Sequence, residues 1–209
     1  PLSAIITELE LSMHKNRSID EYKTAIQNAL NDAKKLVRLS NSLLDLAKAS
    51  YDRVAISFKK VRIDEVLLDA RQQVQQANPD YKIMIHFKDY FENERDISVN
   101  GNEYLLKTAF INLFENGCKF SPDRQSQVVV SFVDKKILLL FSDKGIGISE
   151  TDLKNIFTPF YRGENKKFAD GHGIGLSLTQ RIIYLHHGHI TVSSVLGKGT
   201  QFVVELPQC

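Results

Sequence analysis

The residues best suited to chemistry fall in four short stretches. The first is Asn112-Leu-Phe-Glu-Asn116-Gly-Cys-Lys119. Asn112, Asn116 and Lys119 stand at i, i+4 and i+7, so a helix places all three on one face. Asparagine is a poor helix former, and two in one helix call for a reason. A neutral carboxamide oxygen suits Mg²⁺ when phosphates supply the other ligands, and a lysine adds a point charge for phosphate. In the second stretch, Asp143 closes an aliphatic run from Ile137 to Phe141 and opens a turn with Gly145 and Gly147. A carboxylate there can accept a hydrogen bond from an exocyclic amine, and glycine lets backbone approach a purine with no Cβ in the way. In the third, Gly171, Gly173 and Gly175 run into a helix starting near Ile174, with Leu176 in its first turn. Free N–H groups and the positive dipole end of such a helix bind phosphate. No Gly-Lys-Ser/Thr follows, so this is not a P-loop, and a charged loop rather than a strand precedes it, so it is not a dinucleotide fingerprint. The fourth stretch is Gly197-Lys-Gly199-Thr200.

In this order, the four motifs resemble the ATP-binding domain of sensor histidine kinases, in the superfamily shared with gyrase, MutL and the heat-shock chaperone ATPases. The resemblance spans essentially the whole chain, firmly over 102–206 and more loosely over 1–55. It implies ATP and Mg²⁺ as cofactors, with Asn116 as the metal ligand and Asn112 and Lys119 as catalytic and binding residues, Lys119 near the phosphates. It also implies that Asp143 reads the adenine amino group, with Gly145, Gly147 and Thr200 at the same end. Gly171, Gly173, Gly175 and Leu176 would hold the phosphates. The segment from Tyr161 to Asp170 would be the ATP lid, with Arg162, Lys166 and Lys167 facing the γ-phosphate and Phe157 and Phe160 preceding it. Gly117 replaces the usual alanine, a small-for-small change expected to matter little. Relatives that hydrolyse ATP carry a water-activating glutamate where this chain has Asn112, and asparagine is no general base. Glu115 lies only about 60° around the helix from Asn112, so hydrolysis stays an alternative to transfer, as does a non-catalytic nucleotide scaffold. The resemblance implies phosphotransfer to a histidine and onward to an aspartate of a response-regulator receiver domain. Pro1-Leu2-Ser3 matches only the tail of the acceptor box, which places the acceptor histidine upstream of residue 1.

Two regions must position these groups. Residues 1–52 read as a helical hairpin. Leu2, Ile5, Ile6, Leu9 and Met13 recur at helical steps, and Ser18 with Glu21 fits a capping box opening a second helix. On that helix Tyr22, Ile26, Ala29, Ala33, Leu36, Ser40, Leu43 and Ala47 form a broad apolar stripe. Such a hairpin is half of a four-helix bundle, which implies a homodimer; packing of the stripe within the same chain is the alternative. We expect two domains, 1–54 and 55–209, and an α+β fold: the hairpin followed by an α/β sandwich with helices on one face of a sheet. Strands are expected at 58–63, around 83–87, 127–133, 136–142, 189–195 and 201–206. Helices are expected from Asp64 as cap to Ala77, over 102–119, from Ser149 as cap to Phe157, and over 173–187.

Composition narrows the function classes. A net charge of +2 with basic and acidic residues interspersed gives no nucleic-acid footprint. No apolar run is long enough to span a membrane, so these residues are expected not to insert in one; the reading is a cytoplasmic portion of an inner-membrane sensor. Two cysteines, Cys118 and Cys209, make no disulfide framework, and Cys118 is read as a small buried hydrophobe. His186, His187 and His189 sit at a helix–strand junction, where three converging ligands would make a metal site; a plain turn is the expectation.

Overall fold

The structure is a computed structural model, and it describes residues 2–14, 18–30, 33, 40, 57–88, 96–163 and 173–209. They fall into two compact units, Pro1–Asp45 and Leu46–Cys209. The boundary expected at 54/55 lies outside the described residues.

In the first unit, α1 spans Leu2–His14 and α2 is described over 19–30. The capping box forms. Ser18 N–H and Oγ–H both donate to Glu21 Oε2, at 2.7 and 2.9 Å, and Glu21 N–H donates back to Ser18 Oγ at 3.3 Å. Ala25 and Ala29 are buried, whereas Ile6, Leu9, Met13, Ile26 and Leu30 are exposed in the single chain. The later positions of the apolar stripe, Leu36, Leu43 and Ala47, lie outside the described residues.

The second unit is built on a five-stranded mixed sheet of order β2-β4-β5-β7-β6. Its strands are β2 (Lys82–Phe87), β4 (Gln125–Val133), β5 (Lys136–Ser142), β6 (His189–Val195) and β7 (Gly199–Pro207). Only the β2–β4 pairing is parallel. Burial alternates along β4 (Ser126, Val128, Val130), β5 (Ile137, Leu139, Phe141) and β7 (Thr200, Phe202, Val204, Leu206). That period of two gives one inward face. Helices α3 (Ile63–Ala77), α4 (Glu103–Phe120) and α6 (Gly175–Leu185) cover it. Phe110 and Phe114 of α4 pack on Phe141 with ring centroids 5.8 and 5.2 Å apart. Burying each such ring contributes about 1.5–3 kcal/mol. The β4–β5 turn runs through Asp134 and Lys135 at φ 49° and 60°, the twisted two-residue hairpin geometry.

Several local expectations are corrected. A second, two-stranded sheet pairs β1 (Lys59–Arg62) with β3 (Ser98–Gly101); β3 is too short to show a period. Asp64 does not cap α3. It sits inside the first turn, buried and held by Arg62, whose Nη2 donates to Oδ2 at 2.7 Å. Ser149 does cap α5 (Glu150–Leu153), accepting from Asp152 N–H at 3.2 Å, but the helix ends at Leu153 rather than Phe157. Asn102 caps α4 through Leu105 N–H.

His186 clasps two helices. At the C-terminus of α6 it is buried, and its Nε2 accepts the Asn102 N–H at 2.9 Å. Nδ1 therefore carries the proton and donates to Ile182 O at 2.7 Å. The ring stacks on Phe58 at 5.0 Å. Burial lowers its pKa, only partly opposed by the bond to Ile182 O. His189 stacks on Tyr184 instead. Among the described residues no group of His, Cys, Asp or Glu converges on a metal position. No described helix is long and apolar enough to cross a membrane.

Candidate functional site

α4 runs between two loops. Its middle turn carries Asn112, whose Nδ2 donates to Gly175 O at 3.4 Å, tying α4 to the first residue of α6. Its last turns meet the loop after β5, where Ile146 N–H donates to Phe120 O at 3.1 Å. Asn112, Asn116 and Lys119 are each half-buried and follow the helical spacing along α4. The Lys119 Nζ lies 5.6 Å from the Phe120 ring centroid.

Asp143 is the polar centre of the second loop. Its Oδ1 accepts Gly145 N–H at 2.8 Å and Thr200 N–H at 3.3 Å, and its own N–H donates to Thr200 O at 3.0 Å. Burial raises its pKa, and the two amide bonds on Oδ1 pull the other way. The bonds to one oxygen fix the carboxylate plane and direct Oδ2 elsewhere. Gly145 must lack a side chain: a Cβ there would lie 2.5 Å from Phe120 O and 2.7 Å from Asp143 Oδ1. Gly199 must too, since φ is +111° and a Cβ would lie 2.0 Å from Asp143 O. Gly147 joins the same turn, and Gly197 N–H donates to Ile146 O at 2.8 Å, zipping the β6–β7 hairpin onto the Asp143 loop. Thr200 is buried at the start of β7.

Gly117 of α4 leaves no room for a side chain on this side. A methyl there would lie 2.5 Å from Ser126 Oγ and 2.8 Å from Ser126 Cβ, with Asp143 Cβ at 3.6 Å. The expectation that glycine and alanine are interchangeable at 117 does not hold in this packing, because the buried Ser126 fills the space. Cys118 beside it is a buried free thiol, its pKa pushed up by burial to about 12, too high for a reactive thiolate.

Gly173, Gly175 and Leu176 stand at the start of α6. Ile174 at its N-cap offers no side-chain bond to the first-turn N–H groups. Phe160 N–H donates to Gly173 O at 2.9 Å, joining the two ends of the intervening segment. Gly171, Lys166 and Lys167 lie outside the described residues, and Arg162 is exposed. Phe157 meets Phe202 edge-on at 6.5 Å. Phe160 is exposed, with φ +65°.

Three contacts escaped sequence reading. Tyr161 Oη donates to the buried Asp152 Oδ1 at 2.6 Å, fastening the segment's start to α5. Ser126 backs Gly117. Ser194 bonds Ile148, Gly199 and Thr200. Tyr161 and Asp152 are nine residues apart and Ser194 and Ile148 46, separations that no helical or strand period announces.

The donor set suits an ion that arrives with its own ligands. The α4 face offers neutral carboxamide oxygens, and no acidic cage stands near it among the described residues. That fits Mg²⁺ held mainly by phosphates, not one caged by protein.

The pattern of the histidine kinase-, DNA gyrase B- and HSP90-like ATPase family matches residues 101–209, just over half of the chain. The chain is 26% identical over 216 residues to the sensor histidine kinase HprS of Escherichia coli strain K12, covering 100% of the chain and 44% of that protein. It is 30% identical over 206 residues to the heme sensor protein HssS of Staphylococcus epidermidis, covering 98% of the chain and 43% of that protein. The chain thus spans less than half the length of these relatives. Its fold is similar to histidine kinase ThkA solved in complex with the response regulator protein TrrA, with a TM-score of 0.76 at 18% identity, covering 100% of this chain and 58% of that one.

Proposed function

We propose that this chain, which belongs to the histidine kinase-, DNA gyrase B- and HSP90-like ATPase family, is the core of a protein-histidine kinase in a two-component signalling system. ATP binds with its adenine at Asp143 and its phosphates at the start of α6. The observation that carries this is α4 itself, which is bonded to both loops: Phe120 O accepts Ile146 N–H of the Asp143 loop, and Asn112 bonds Gly175.

Each residue then has a task. Asp143 Oδ2 accepts the adenine amine, while the glycine backbone of 145–147 lines the purine. The first-turn N–H groups of α6, with Gly173 and Gly171, hold phosphate oxygens. Lys119 adds charge beside them. Asn116, with Asn112 on the same face, would hold Mg²⁺, which when bound neutralises phosphate charge. Asn112 is already a strut to Gly175 and offers no base for water, which favours transfer over hydrolysis. Phosphoryl transfer of this kind is mostly positioning and charge neutralisation. The γ-phosphoryl passes to a histidine nitrogen and from there to a receiver-domain aspartate. The exposed apolar residues of α1 and α2 support a homodimer through residues 1–52. The parent protein is an inner-membrane sensor with this portion in the cytoplasm.

The test uses ATP labelled on the γ-phosphate, Mg²⁺ and a longer chain carrying the histidine box ahead of residue 1. Acid-labile, base-stable label on that chain supports transfer. Fast release of free phosphate without label, lost on Glu115→Gln, would assign the chain to the hydrolysing branch.

A further inference from the structure

Ser194 has a role that its place in an edge strand does not suggest. It is half-buried on β6, and its hydroxyl meets three groups. Oγ donates to Gly199 O at 2.7 Å, accepts Ile148 N–H at 2.9 Å, and lies 3.0 Å from Thr200 Oγ1. A hydroxyl has one proton and two lone pairs. The proton goes to the Gly199 carbonyl, and Ile148 takes one lone pair. The bond to Thr200 must then carry the proton of Thr200 into the other lone pair. Thr200 Oγ1 is left with lone pairs alone for any further partner.

This matters because of what stands next to Thr200. Its N–H is held on Asp143 Oδ1, so the pair offers Asp143 Oδ2 and Thr200 Oγ1, both acceptors. Ile148 closes the loop that holds Gly145 and Gly147, and Gly199 opens the strand that holds Thr200. One hydroxyl therefore ties together both sides of the base-reading end.

We infer that Ser194 is a positioning residue for base selection: by committing the Thr200 proton, it keeps the Asp143–Thr200 pair acceptor-only. Such a pair favours a purine with an exocyclic amine at position 6 and repels one with an oxygen there. With Ser194 removed, the Thr200 hydroxyl can turn and donate to that oxygen. The inference rests on the nucleotide-site reading above.

The experiment measures Mg²⁺-free ADP and IDP affinities by calorimetry on the full chain, so that only the base differs. Wild type is expected to prefer ADP. Ser194→Ala should lower the ADP:IDP preference by about threefold to tenfold, the size of one neutral hydrogen bond, with ADP weakened and IDP held or improved. Ser194→Thr, which keeps the hydroxyl, should retain the preference. A merely structural serine would weaken both nucleotides together, and an unchanged ratio would overturn the inference. If Ser194→Ala does not fold, Thr200→Val takes its place: it removes the same acceptor and should lower the ratio likewise, and an unchanged ratio there also overturns the inference. Loss of preference with ADP still bound by wild type speaks to Ser194. Failure of wild type to bind ADP at all removes the site reading, and this inference with it.

Discussion

Asp143 and Thr200, separated by 57 residues in sequence, are locked together by two hydrogen bonds. The Asp143 N–H donates to Thr200 O at 3.0 Å, and the Thr200 N–H donates to Asp143 Oδ1 at 3.3 Å. β5 and β7 are neighbours in the sheet, and the pair continues their ladder just beyond the Ser142–Gln201 partners. A carboxylate is thus fixed at the end of a buried strand pair, where a loop side chain would wander.

Asn116 is assigned to the metal rather than the base. Asn116→Ala should abolish phosphoryl transfer in the extended, histidine-bearing chain and leave Mg²⁺-free ADP affinity within about twofold, because no base or amide contact is lost. Transfer at the wild-type rate with Mg²⁺ would remove Asn116 from that role.

Gly117 and Ser126 should couple. Gly117→Ala forces a methyl against Ser126 and should cost about 1–3 kcal/mol, the usual range for overpacking. In a Ser126→Ala background the Oγ contact is gone, and the cost of Gly117→Ala should shrink. Urea denaturation of the four proteins gives the coupling energy. Strictly additive costs would show that the two side chains do not compete for the space.

His186 should make the domain acid-sensitive. Its folded pKa is lowered by burial, while the unfolded value is about 6.5. Below about pH 6.5 the unfolded chain binds the proton and the folded one resists it, so stability is full above that pH and falls as pH drops through it. Protonation would also turn Nε2 from acceptor to donor against the Asn102 N–H. His186→Asn should flatten the stability slope between about pH 7.5 and pH 5.5. An unchanged slope would assign it to other groups.

The exposed apolar residues of the hairpin should drive self-association. Light scattering of the full chain should report a dimer, and Leu9→Glu with Ile26→Glu should shift it to monomer. A wild-type monomer at tens of micromolar, by light scattering, would refer the apolar stripe to packing within one chain.

Much of this fold was legible because it is local. The capping box at Ser18 and Glu21 and the Ser149 cap each use short-range chemistry, and both form. The apolar run from Ile137 to Phe141 marks a strand, although which of its residues face inward appears only in the structure. β3 was not legible, because four residues carry too little period to separate strand from loop. Asp64 was misread for a related reason: an aspartate just before an apolar run signals a cap, yet Arg62 two residues earlier holds it inside the turn. At the site, motif spacing marks Asn112, Asn116 and Asp143. It says nothing of Ser194 or Ser126, whose importance arises only once other elements pack against them. The Gly117 exchange looked neutral because sequence carries no information on the volume behind it.

The central claim is that Asp143 reads adenine, and calorimetry of ATP on wild type and Asp143→Asn tests it most directly. Asparagine keeps an oxygen for the Gly145 and Thr200 amides, and it removes a charge that burial disfavours. The unliganded melting temperature should therefore hold or rise. The amine, however, loses its charged acceptor, a bond worth about 1.5–3 kcal/mol, so ATP affinity should fall about tenfold or more. A variant that folds as well as wild type and binds ATP equally tightly would contradict the account.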